Sequence, residues 1–139
     1  MSPTGRVEEA GMAARRLAAR GRAAPELAWE RYDRIALWTT WSPQILGVDA
    51  DAERISPGVT GTVRALGGVP VPFTITEVDR PGWTWTWVAQ LGPVSMTLTH
   101  RVRAEARGSA TGLLLEGPDP VLLAYAPLAW VALRRLVAR

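Results

Sequence analysis

Residues 83–102 constrain this chain more than any other stretch. They comprise two strictly alternating runs, Trp83-Thr84-Trp85-Thr86-Trp87-Val88-Ala89-Gln90 and Val94-Ser95-Met96-Thr97-Leu98-Thr99-His100-Arg101-Val102, joined through Gly92-Pro93. Period-two alternation broken by a Gly-Pro turn is the pattern of a β-hairpin, and here one face of it is very aromatic. If Gly92 and Pro93 form an even-length turn, Trp87 lies opposite Leu98, Trp85 opposite His100 and Trp83 opposite Val102. The only histidine of the chain would then face indole rings. Such a ribbon supports a fold and a cavity without naming a reaction.

The rest of the chain builds around that ribbon. Ala24-Pro25-Glu26-Leu27 opens a helix, with Pro25 suited to the first turn and Glu26 at the positive end of the helix dipole. Leu27, Tyr32, Ile35 and Trp38 provide its apolar stripe, and the helix is expected to end before Thr39-Thr40-Trp41-Ser42-Pro43, where a short second helical turn fits. From Ile45 the texture is β: 45–55, 59–66, 71–78, 83–90, 94–105 and 109–116, with a glycine in every break. Closely spaced turns between short runs predict an antiparallel meander that curls. The loop between Val78 and Trp83 leaves the facing open. An odd loop puts Phe73 and Ile75 on the tryptophan face, and an even one puts Thr74 and Thr76 there. A second helix follows Gly117, with Asp119 as N-cap and Pro120 at its first position. It is apolar on nearly every side, which predicts burial along its length, and Pro127 predicts a kink or break. Ala13-Ala14-Arg15-Arg16-Leu17-Ala18-Ala19-Arg20, by local propensity alone, reads as helix.

A chain of 139 residues without repeats or linkers is one domain. Its basic residues are all arginine and dispersed, and the net charge is only +3, which makes a solvated surface the expectation and argues against nucleic acid as a partner. The absence of cysteine removes disulfides, thiolate metal sites and cysteine nucleophiles, and fits the cytoplasm. No apolar leader is read at the N-terminus, and the apolar stretch 120–133 is short of the ~20 residues that span a bilayer, so no stable membrane insertion is expected.

Four segments carry a resemblance: Ala24-Pro25-Glu26-Leu27-Ala28-Trp29; Trp41-Ser42-Pro43-Gln44-Ile45-Leu46-Gly47-Val48; Pro57-Gly58-Val59-Thr60-Gly61-Thr62-Val63; and the tryptophan-rich strand leading to Thr99-His100. In these the chain resembles the SRPBCC or START-like superfamily, particularly its small bacterial polyketide cyclase/dehydrase-type members. The resemblance implies an α+β helix-grip: about seven strands in the order β-α-α-β6-α, the curved sheet wrapped around a long C-terminal helix with an internal cavity. It also implies that 11–22 is an initial strand, against the local reading, and that residues 1–10 form a flexible N-terminus ahead of a single domain over 11–139. Lipid and hormone carriers, aromatic polyketide cyclases and quinone-binding chaperones share this fold, so analogy selects none of them.

His100 is the one side chain whose ordinary pKa suits proton transfer near neutrality, which makes it the candidate catalytic acid or base. The same histidine could equally be a satisfied histidine of the sheet. Trp41, Trp85, Trp87, Met96, Leu98, His100, Leu115 and Tyr125 are the candidate ligand-binding residues, the rings offering flat apolar surface and Tyr125 a hydroxyl. A lone histidine without cysteines makes a poor metal site, and neither a metal nor a cofactor is expected. Asp49, Asp51 and Glu53 share one strand face that reads as solvated, and Gly67-Gly68 reads as a turn with no phosphate-loop context. Two functions follow. One is a monomer or homodimer that binds a hydrophobic, cyclic or aromatic small molecule, with cofactor-independent cyclisation or dehydration by His100 if it is an enzyme. The other is a non-catalytic lipid or quinone carrier or chaperone acting at a membrane surface or with a protein partner, for which an exposed apolar rim near Trp41 and Tyr125 with arginines around it would speak.

Overall fold

Strand-period alternation in the sequence becomes a seven-stranded antiparallel sheet. The computed structural model describes residues 12–139, so the expected flexible segment 1–10 and Gly11 lie outside the described residues. The strands are β1 (Met12–Gly21), β2 (Ile45–Ala50), β3 (Thr60–Ala65), β4 (Pro70–Asp79), β5 (Thr84–Leu91), β6 (Val94–Glu105) and β7 (Gly108–Pro118), arranged β1-β7-β6-β5-β4-β3-β2. Between β1 and β2 the chain makes α1 (Pro25–Asp33), a 3-10 turn (Ile35–Leu37) and α2 (Trp38–Trp41), and α3 (Asp119–Leu136) follows β7. This is the α+β helix-grip that the resemblance implied. β1 pairs with β7 along its whole length, from Met12↔Pro118 to Gly21↔Ser109, and its residues alternate between exposed and half-buried. Helix propensity in Ala13–Arg20 is worth tenths of a kcal/mol per residue and yields to that ladder.

The β5–β6 hairpin has the expected register, Trp87↔Leu98 and Trp85↔His100. Trp83 stands just outside β5 with a positive φ of 54°, and its carbonyl accepts the Val102 N–H at 2.9 Å. The β4–β5 hairpin resolves the open question in an unforeseen way. Its loop is even, Asp79 pairing with Thr84, but the register shifts between Ile75 and Glu77 so that Ile75 pairs with Trp87 and Phe73 with Ala89. A bulge at Thr76 thus restores Phe73 and Ile75 to the tryptophan face, where both are buried.

The helices depart from several expectations. α1 ends at Asp33 rather than near Thr39, and the 3-10 turn redirects the chain so that Ile35 and Trp38 enter the core from a new axis. Within α1 the inward residues are Ala28, Trp29 and Tyr32, while Leu27 is 42% exposed and does not belong to the stripe. Strand 45–55 stops at Ala50, which leaves Asp51 and Glu53 beyond it. Asp119 is the first residue of α3, with Pro118 in the capping position, and the helix runs through Pro127 without a break. Nor is α3 buried lengthwise: Leu122, Ala129, Ala132, Leu133 and Leu136 face the sheet, whereas Leu123, Trp130 and Val131 face out.

α3 is tied at both ends. Arg15 Nε donates to Asp119 Oδ1 at 2.9 Å where the helix starts. Where it ends, Ala23 N–H donates to Val137 O at 2.9 Å and Arg31 Nη1 donates to the carbonyls of Leu136 and Ala138, each at 2.6 Å, satisfying acceptors that a helix terminus leaves open. Gly21 lies against the Val137 carbonyl so closely that no side chain fits there. Among the described residues no helix is long and apolar enough to cross a membrane.

Candidate functional site

Inside the grip, one half of the sheet is filled by rings. Trp38, carried in by α2, packs against Phe73, Trp85 and Trp87 with ring centres 5.3–5.5 Å apart. Tyr32 of α1 meets Trp41, Trp85 and His100, and Trp85 stacks on His100 at 4.8 Å and an interplanar angle of 14°. The indole N–H groups of Trp38 and Trp41 donate to the carbonyls of Tyr32 and Arg31, at 2.9 and 2.8 Å, which fixes α2 to α1.

His100 is 3% exposed and both its ring nitrogens are engaged. Trp87 Nε1 donates to His100 Nε2 at 3.0 Å, so Nδ1 carries the proton and donates to the Tyr32 hydroxyl at 3.2 Å. Tyr32 in turn donates to Thr111 Oγ1 at 2.6 Å, and Thr111 donates to the Arg101 carbonyl at 2.8 Å. Every donor in this run of hydrogen bonds has one acceptor, and its direction is set by the Trp87 indole at one end and the Arg101 carbonyl at the other; the neighbouring Trp85 Nε1 is buried without a partner. Burial lowers the His100 pKa to about 3, and burial raises that of the Tyr32 hydroxyl, so both groups are neutral at pH 7.

The other half of the sheet, from β2 to β6, is lined by smaller aliphatic side chains and leaves a hollow of about 310 Å³ beneath the middle of α3. Val63, Val71, Ala89, Met96 and Leu98 form its floor, Trp87 one wall, and Tyr125 and Leu128 of α3 its roof. Among the described residues no charged side chain lines it. Its rim is apolar and open to solvent, with Leu66 51% and Val69 55% exposed on the turn between β3 and β4; it is not the arginine-flanked rim expected near Trp41, which is buried, and no arginine among the described residues lines the hollow. A recess of about 10 Å³ adjoins it, shares Gln44, Ile45, Trp87 and Tyr125 with it, and reaches Trp41 and His100. Gln44 is 7% exposed; its Nε2 donates to the Tyr125 hydroxyl at 3.1 Å, while its Oε1 is buried without a partner, as is Ser42 Oγ. Burial pushes the Tyr125 pKa up, partly offset by Gln44, and keeps this hydroxyl protonated.

The residues singled out from sequence therefore fall into three places. Trp87, Met96, Leu98 and Tyr125 line the hollow, Trp41 and His100 line the recess with Trp87 and Tyr125, and Trp85 and Leu115 are buried in the packed core and line neither. Sequence reasoning missed Gln44, whose signal was a lone amide directly before the apolar residues of β2, and the β3 and β4 valines, whose alternation was visible but had no partner to face. Asp49, Asp51 and Glu53 are all exposed, and no group of three possible metal ligands occurs among the described residues. Gly67 takes a φ of 78° in a tight 3-10 turn at Leu66–Gly68.

Comparison with known proteins agrees with this architecture. The family model described as polyketide cyclase / dehydrase and lipid transport matches residues 17–138. The crystal structure of Ara h 8.0201 superposes with a TM-score of 0.74 over 91% of this chain and 95% of that one at 14% identity, a likeness of fold. No curated protein matches the sequence.

Proposed function

The chain belongs to the polyketide cyclase / dehydrase and lipid transport family, and from that premise we propose that it binds and carries one small hydrophobic molecule in the hollow under α3. The lining of that hollow carries the proposal: aliphatic and indole surface without a charge, opening at a rim of exposed Leu66 and Val69. Apolar surface removed from water contributes about 25 cal/mol per Å², and the side chains that would otherwise close the core here are short. At about 310 Å³ the space is at the lower end of the roughly 300–1,000 Å³ usual for ligand pockets, which suits a ring system or short chain better than a two-chain lipid.

The state of His100 favours carriage over acid–base turnover. A general acid or base must reach the reacting group with a free nitrogen and a pKa near the working pH. Here Trp87 and Tyr32 occupy both nitrogens, and a pKa of about 3 leaves the ring neutral. We assign His100 the role of holding Trp87 in the wall of the hollow.

Native mass spectrometry of the protein isolated from its own host tests the reading, with a retained neutral small molecule as the expected result. Replacing Ala89 by Trp, which fills the floor, should remove that added mass without unfolding the protein. An unliganded wild-type protein that also fails to bind apolar ring compounds by calorimetry overturns the proposal. A substrate whose turnover ends with a folded His100→Gln variant would restore the enzymatic reading.

A further inference from the structure

The hollow is apolar except at one place. Gln44 and Tyr125 meet across it, one from the start of β2 and one from α3, at the end where the hollow runs into the recess. Their mutual hydrogen bond uses the Gln44 Nε2 donor and one acceptor position of the Tyr125 oxygen. Beyond that bond the Tyr125 hydroxyl hydrogen, the second amide hydrogen and Gln44 Oε1, which is buried without a partner, remain unfilled. Turning the amide about its last bond exchanges the two roles. Tyr125 then donates to the oxygen, and the amide nitrogen and the phenol oxygen are left over. In either orientation the pair offers at least one donor and one acceptor side by side, in surroundings where leaving a polar group unpaired is costly.

Resting on the reading of the hollow as a carrier site, we infer that Gln44 and Tyr125 select its occupant: a neutral molecule with one hydroxyl, phenolic or aliphatic, on an otherwise apolar body. A hydroxyl both donates and accepts through a single atom, which matches the pair. A ketone or ether can only accept, and leaves one acceptor of the pair without a donor: the amide oxygen or, with the amide turned, the phenol oxygen. A carboxylate or phosphate brings a charge into a space with no cation among the described lining residues, and a buried unpaired charge is expensive. The hydroxyl leads into the hollow and the apolar body trails toward Leu66 and Val69, since the polar pair lies at the inner end and the rim is apolar. This orientation is the reverse of an amphiphile whose head stays in water.

Calorimetry at pH 7 with naphthalene, 2-naphthol and 2-naphthoate tests it on one ring skeleton. The wild-type protein should bind 2-naphthol about tenfold more tightly than naphthalene, and 2-naphthoate more weakly than 2-naphthol by at least as much. In Tyr125→Phe, in Gln44→Leu and in the double variant the ratio of naphthol to naphthalene affinity should fall toward one, with circular dichroism confirming the fold. Equal wild-type binding of naphthalene and 2-naphthol, or a preference that survives the double substitution, overturns the inference and leaves the carrier reading standing. If none of the three compounds binds, both fall together.

Discussion

Two halves of one curved sheet face the same helices and have opposite interiors. In one, Tyr32, Trp38, Trp85 and His100 close on one another and leave only the recess of about 10 Å³. In the other, from β2 to β6, Val63, Val71, Ala89 and Met96 point the same way under α3 and leave about 310 Å³. The sheet is continuous across both, so curvature does not explain the difference. Side-chain reach does: α1 and α2 send four rings into the first half, whereas α3 covers the second with only Tyr125 and Leu128. Trp87 is the partition, its N–H bonded to His100 on the filled side and its ring lining the hollow on the other. One half of the core is filled, and the other is left hollow, as the proposed carrier role requires.

Substitutions can break this division or sharpen it. Trp85→Ala should have the largest effect, about 3–5 kcal/mol lost in urea unfolding, because the indole is fully buried among four rings and its removal opens a cavity in the filled half. Acidification comes next. The folded pKa of His100 is lowered to about 3 from an unfolded value near 6.5, so the unfolded chain takes up a proton that the folded protein refuses. Stability from this group is therefore complete above pH 6.5 and falls as the pH drops from there toward 3, by up to about 1.4 kcal/mol per pH unit. Comparing the pH dependence of unfolding midpoints in wild type and His100→Gln isolates that slope; identical slopes would mean the ring titrates freely. Ala89→Leu should have the smallest effect on stability, within about 1 kcal/mol, because its extra carbons enter existing space rather than overpacking a full core. If instead it destabilises by several kcal/mol, the second half is as tightly packed as the first.

The register that brings Trp85 to His100 could be read from the chain because alternation has a period of two and Gly92-Pro93 fixes the turn. The bulge was harder, although it left a trace: in Phe73-Thr74-Ile75-Thr76-Glu77-Val78 two polar residues separate the last apolar pair, where strict alternation allows one. Leu27 and Trp29 both suit a helical face, and only the early end of α1 at Asp33 decides which turns inward. The partners of His100 were not legible at all. Tyr32 and Thr111 lie 68 residues before it and 11 after, on an α-helix and a strand, and no local spacing marks them as neighbours. Local propensity also failed for β1, because the ladder that decides its state belongs to β7, nearly a hundred residues away. Long-range satisfaction of polar groups is where single-sequence reading stops, and it is also what separates a wall histidine from a reactive one.

The fastening of α3 by Arg15 at one end and by Ala23 and Arg31 at the other makes this helix a beam rather than a hinged flap. On the carrier proposal, a guest entering by raising it would have to strip the last carbonyls of their donors. On the same proposal entry is left to the side, where Leu66 and Val69, at the two ends of the Leu66–Gly68 turn, are about half exposed. For such a carrier a short glycine-rich turn would set the gauge of the passage, and a chain that lengthened or stiffened it should change how fast guests exchange while leaving the chamber itself the same size.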